Sequence, residues 1–204
     1  MRKSNYIYLF LTAWLLSSCA AHFDRYPGEK LTTFPQQLQG DYCFANKPFF
    51  MSWFKKDTAI LHISPTSIVR LADNEQTKPL LLNDTVVLSS FGKYYALSQR
   101  DENIEGAWTV SIIRADRHSL SLWVVEENKP YARVLLSQLA SQTYVRQPGQ
   151  NWNKLAATQE VKARAMKNSH SDTAVVFTMN DAVLLQLFEK HIQKERPVIL
   201  KRYK

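Results

Sequence analysis

The feature that most constrains this chain is a succession of short apolar runs, each closed by a turn, between Gly40 and about Arg146. Successive side chains of an extended chain point to opposite faces, so a run that is apolar at every second position reads as a half-buried strand. Ala107–Ala115, AWTVSIIRA, places Trp108, Val110 and Ile112 on one face and Thr109 and Ser111 on the other. Ser119–Val125, SLSLWVV, sets Leu120, Leu122 and Val124 against Ser119 and Ser121, and the polar turn Asp116-Arg117-His118 joins the two runs into a hairpin. Thr58–Ile63 and Ser67–Ala72 flank Ser64-Pro65-Thr66 in the same way, and Asp84–Ser90 and Lys93–Gln99 flank Phe91-Gly92, where glycine permits a positive φ. Tyr131–Leu136, YARVLL, follows the polar stretch Glu126–Pro130 and reads as one more strand. Strands joined by short turns make an antiparallel meander. The expected fold class is therefore mainly β (α+β), a barrel or sandwich with carboxy-terminal helices and a closing strand.

Pro148-Gly149 ends the series. Asn151–Lys167 carries Trp152, Leu155, Ala156, Ala163 and Met166 at spacings that predict a helix capped by Asn151. Thr173–Thr178, TAVVFT, predicts a strand. The stretch from Thr178 to Arg196 predicts a helix with a capping box of Thr178 and Asp181 and an apolar stripe of Val183, Leu184, Leu187, Phe188 and Ile192. Val198–Lys204, VILKRYK, predicts a last strand whose basic residues blunt an exposed edge.

The amino-terminus has a different grammar. Arg2 and Lys3 precede an apolar stretch, Tyr6–Leu16, which small residues follow. This is the order of a secretory leader, and the stretch falls short of the roughly 20 residues needed to span a bilayer. Leu16-Ser17-Ser18-Cys19 resembles the lipobox of bacterial lipoproteins. That resemblance implies removal of residues 1–18, a diacylglycerol on the Cys19 thiol, fatty acylation such as palmitate, and membrane attachment through the amino-terminal lipid. Ala20 after the cysteine, where an Asp would imply inner-membrane retention, implies the outer membrane, on its periplasmic face. The same small residues also allow ordinary cleavage after Ala20, which would leave a soluble chain. Residues 19–39 contain Pro27, Gly28 and Pro35 without sustained periodicity and read as a tether. Residues 40–147 then form the β domain, and residues 148–204 a helix-strand-helix-strand extension packed on it.

Removing the leader leaves 186 of the 204 residues, enough for one core, with 24 Lys and Arg against 18 acids, a balance of +6. A basic surface attracts anionic lipid, polysaccharide or nucleic acid. Nucleic acid is set aside, because no recognised binding motif accompanies the charge and the expected address lies outside the cytoplasm. If Cys19 carries lipid, Cys43 has no partner and reads as a small buried hydrophobe.

No catalytic or metal motif stands out, and no cofactor is expected. His22, His62, His118, His170 and His191 are scattered, and Ser169-His170-Ser171-Asp172 reads as a turn, since neighbouring residues cannot adopt triad geometry. Asp101, Glu102, Glu105, Glu126 and Glu127 fall in predicted loops and read as solvated charge. The most unusual stretch is Lys47–Asp57, KPFFMSWFKKD, where Phe49, Phe50, Trp53 and Phe54 crowd beside Lys55 and Lys56. These rings either cap the β domain or form a contact for a membrane or ligand, where aromatic bodies and lysines both find partners. Leu38–Phe44, LQGDYCF, places a Gly-x-Tyr at the first strand of the meander. It is similar to the Gly-x-Trp that opens lipocalin barrels, a resemblance that covers only these residues and implies a carrier of an apolar ligand. Three functions stay open: a non-enzymatic binding or interaction module partnered by an envelope protein, a lipocalin-like carrier, and an envelope hydrolase.

Overall fold

A computed structural model of the protein describes residues 20–45, 60–72, 75–76, 79–102, 104–125, 127, 129–146, 152–155 and 173–203. The first strands are β1 (His22–Phe23), β2 (Glu29–Leu31), β3 (Gly40–Phe44), β4 (Ile60–Ile63), β5 (Ser67–Ala72), β6 (Glu75–Gln76) and β7 (Leu80–Leu81). The long meander follows as β8 (Val86–Phe91), β9 (Tyr94–Arg100), β10 (Trp108–Asp116) and β11 (Ser119–Val124). Then come helix α1 (Pro130–Leu136), β12 (Ser141–Arg146), β13 (Trp152–Leu155), β14 (Thr173–Phe177), helix α2 (Asp181–Lys194) and β15 (Val198–Arg202).

The strands form one curled, half-barrel sheet, mainly β as the alternation requires. Its long path runs β13-β12-β14-β1-β10-β11-β15-β3-β4-β5-β6, and β9, β8 and β2 extend from the other edge of β10. The predicted hairpins are present: β10 with β11 (Ile112↔Trp123), β8 with β9 (Leu88↔Leu97) and β4 with β5 (Ile63↔Ile68). Gly92 closes the second of these at φ 59°. Among the described strands every pairing is antiparallel except β1 with β14, which run parallel.

Both faces of β10 are buried, and this divides the interior in two. Val110 and Ile112 point to a layer shared with Trp123 and with both helices, through Ala132, Leu135 and Leu136 of α1 and Leu184, Leu187 and Phe188 of α2. Ile113 points the other way, into the hollow of the curl, with Leu88, Leu97, Leu120, Leu61, Ile63 and Leu200. Each such side chain contributes about 1.5–3 kcal/mol by leaving water.

Several sequence expectations are corrected. The stretch read as a tether is folded from Ala20 onward: Phe23 joins the helix-side core, and Phe34 and Leu38 join the hollow. Its apolar residues show no periodicity because each short piece contributes one anchor rather than a face. Tyr131–Leu136 is helical, since Pro130 at the first turn presets φ and Ala132, Leu135 and Leu136 fall on one side at helical spacing. Trp152–Leu155 is a strand paired with β12, where a helix was predicted, and residues 156–172 lie outside the described residues. The last strand is no edge: β15 lies between β11 and β3.

The cap of α2 is Asn180, in place of the expected box of Thr178 and Asp181. Its backbone is extended, and its side-chain oxygen accepts from the Ala182 and Val183 amides, both at 3.1 Å. Asn180→Ala is expected to lower stability by about 1 kcal/mol, whereas exposed Thr178→Ala leaves it near wild type. Urea unfolding midpoints for the two variants check this. Among the described residues, no helix is long and apolar enough to cross a membrane.

Candidate functional site

The residues singled out by sequence, Cys19, Phe49, Phe50, Trp53, Phe54, Lys55 and Lys56, lie outside the described residues. The structure fixes the ends of the aromatic segment. It leaves the sheet after Phe44, at the end of β3, and returns at Ile60, the first residue of β4, which pairs with Cys43. Both strands line the hollow of the curl. Cys43 itself is half-buried, with its thiol 3.6 Å from the Lys201 carbonyl oxygen.

That hollow is nearly filled. β2 pairs with β8, and the chain then crosses to the β4–β5 turn, where the Phe34 amide donates to the Pro65 carbonyl oxygen. Phe34 and Leu38 on this crossing enter the interior. Between them and the sheet remains a cavity of about 60 Å3 lined by Leu, Ile and Phe side chains and by Ser111. The Ser111 hydroxyl is buried and has no hydrogen-bond partner among the described residues. Small-molecule sites typically enclose about 300–1,000 Å3, so the described interior has room for little beyond a methyl group or two.

A second, polar feature lies where β1 meets β10. The lower part of that edge, Ser111–Asp116, pairs with β11, and Trp108 and Thr109 pair with β1. β1 thus takes over the line that β11 leaves, and the Ala21 amide donates to the Val125 carbonyl oxygen at the junction. His22 Nε2 lies 3.2 Å from Asp101 Oδ2, and Asp101 Oδ1 accepts from the Ile104 amide. Glu127 is only 7% exposed, and its Oε2 is buried without a hydrogen-bond partner among the described residues. Burial pushes its carboxyl up to about 7, against the opposing attraction of His22 and of Arg133.

Asp101 and Glu127 therefore correct the expectation that the loop acids are solvated, while Glu102 and Glu105 are exposed as expected. Asp101 carried a readable signal, because an aspartate three residues before the amide it accepts is a turn device. Glu127 carried none, since its burial follows from β1 and α1 closing over it from distant parts of the chain. Neither acid lines the interior cavity. Among the described residues, no three His, Cys, Asp or Glu side chains are arranged to hold a metal ion.

His191 is a second buried titratable group. Its Nδ1 is hydrogen-bonded to the Tyr131 hydroxyl across the contact between α1 and α2, and beside it Lys129 pairs with Glu195 at 3.0 Å. Burial holds its imidazole below the usual range; Glu195 opposes that shift and Lys129 adds to it. An open groove of about 660 Å3 runs over Gln36, Gln37, Asp116, Arg117 and Arg202. The Arg202 guanidinium there is committed to the fold, donating to the Gln39 carbonyl and the Tyr42 hydroxyl, both at 3.0 Å.

Fold and site together define a class: a barrel-like antiparallel β domain whose described residues pack its interior and include two helices on its outer face. Compared with known proteins, the chain matches no family model, no curated protein and no solved structure.

Proposed function

We propose that this is a lipid-anchored cell-envelope protein, held at the periplasmic face of the outer membrane and working as a non-enzymatic binding or interaction module. The observation that carries the anchor is Leu16-Ser17-Ser18-Cys19 at the end of a basic and then apolar leader. A thiol at that position is the acceptor the lipidation chemistry needs, and two or more acyl chains hold a protein on a bilayer stably. A module is favoured over a carrier by the roughly 60 Å3 left inside the curl by the described residues, with Phe34 and Leu38 among the side chains that line it. A structural role for the buried acids is favoured by their position against β1, away from that cavity. The contact surface in this reading is the segment that carries Phe49, Phe50, Trp53 and Phe54 with Lys55 and Lys56.

Cys19→Ala is expected to abolish metabolic labelling by palmitate and to leave the leader uncut. Labelling equal to wild type would overturn the anchor. In the anchored protein, Trp53→Ala with Phe54→Ala is expected to reduce crosslinking to envelope neighbours while the melting temperature holds. Intact crosslinking with a lowered melting temperature would assign those rings to the core.

A further inference from the structure

The residues that follow the lipidation position provide no slack. Cys19 and Ala20 are joined by one peptide, so their Cα atoms lie about 3.8 Å apart. Ala20 is 2% exposed and Ala21 fully buried. Ala21 is tied to Val125 and belongs to the core layer that α1 covers with Ala132, Leu135 and Leu136. The opposite side of α1 is one helix diameter away, about 10 Å. It carries Val134, 63% exposed and the most exposed of the large apolar side chains described. The exposed Lys194 ammonium stands 5.1 Å from the ring of Tyr131, a residue of the same helix α1.

We propose that the domain rests directly on the bilayer, with the outer side of α1 turned to the headgroups: Val134 at the interface, and exposed Lys194 facing anionic lipid. The proposal rests on the reading that Cys19 carries the lipid, and it goes further by fixing which face meets the membrane. Ala21 and α1 share one core layer on the same side of the sheet, so acyl chains inserted from the residue two positions before Ala21 draw α1 down. A single apolar side chain with a cation nearby suits a headgroup layer, which needs no matching surface. A protein partner would favour a contiguous apolar patch, and the other exposed apolar residues, Leu71, Leu81 and Tyr203, lie on β5, on β7 and beyond β15.

The test uses full-length lipidated protein with Cys43→Ser, carrying an environment-sensitive fluorophore at Val134→Cys or at Leu81→Cys. It is reconstituted into vesicles of phosphatidylethanolamine and phosphatidylglycerol containing a headgroup-nitroxide lipid. Several-fold stronger quenching at position 134 than at 81 is expected. A Gly/Ser spacer of roughly ten residues inserted after Cys19 spans about 17 Å and should bring the two positions level. Equal quenching without the spacer, in protein that still floats with the vesicles, overturns the orientation and leaves the anchor standing. Protein that neither floats nor carries lipid mass on Cys19 removes the anchor, and the orientation with it. A preference for 134 that survives the spacer overturns the claim that the short attachment imposes it. Shielding of 134 in native envelopes but not in vesicles assigns the face to a protein partner and overturns the proposal.

Discussion

Phe188→Ala is expected to remove about 3–5 kcal/mol of folding stability, a large part of what a domain of this size has. Phe188 is fully buried in the layer between the sheet and α2. It meets Tyr94 edge-on with ring centroids 4.8 Å apart and Trp123 edge-on at 5.6 Å. Removal of its ring takes away apolar burial and two edge-to-face contacts, each worth about 0.5–1.5 kcal/mol beyond area. The cavity left behind is walled by strand residues that cannot collapse into it. At roughly 2–4 °C per kcal/mol, the melting temperature should fall by on the order of 10 °C. Phe188→Leu should recover most of the loss. Val134→Ala, on the exposed side of α1, should stay within about 0.5 kcal/mol of wild type. A Phe188→Ala variant that unfolds with wild-type protein would show that α2 is not packed on β9 and β11.

The meander was legible because its signal is local. Alternation in Ala107–Ala115 and Ser119–Val125, with short polar turns between, specifies hairpins whose partners are adjacent in sequence, and β8–β9, β10–β11 and β4–β5 formed as the pattern requires. The same pattern left open what lay on each face. Ser111 and Thr109 read as the solvent side of β10, yet both are buried, because the sheet curls over one face and the helices cover the other. Polar residues on a two-sided strand look like those on a one-sided strand until the covering elements are placed.

The misreadings have long-range causes. YARVLL alternates poorly but was surrounded by strands; Pro130 and the spacing of Ala132, Leu135 and Leu136 decided for a helix. Trp152–Leu155 fits an amphipathic stripe, but β12 offers its open edge to it, and a ladder of backbone hydrogen bonds wins. β1 is two residues long and has no readable strand character. It exists because Trp108 and Thr109 are left unpaired on one side where β11 turns away. The close passage of Gly28 against β8 has the same origin. At φ 68° a side-chain Cβ there would stand 1.9 Å from the Ser90 carbonyl oxygen, so only glycine lets the chain turn from β1 into β2. The basic residues of β15 suggested an edge, but Arg202 instead ties the strand to the crossing segment through the Gln39 carbonyl.

Glu127→Gln is expected to stabilise the protein at alkaline pH and to change little in acid. The ordinary carboxyl value of 4.5 applies to the unfolded chain, and about 7 to the folded one. Below pH 4.5 both states hold the proton. Between these values the folded state keeps a proton that the unfolded state releases, so stability falls as pH rises and the deficit is complete above pH 7. The gap corresponds to about 3 kcal/mol at most. Gln keeps the shape and removes the charge, so the stability difference between variant and wild type should climb through that window and then level off. His191 works in the opposite sense. Its lowered value means that the unfolded chain takes up protons first as pH drops below 6.5, so its contribution is lost in acid. Because both slopes overlap in wild type, the variant-minus-wild-type curve is the quantity to measure, by urea unfolding at pH steps from 4 to 9. A flat curve would mean that folding leaves the Glu127 carboxyl at its ordinary value, the attraction of His22 and Arg133 offsetting its burial.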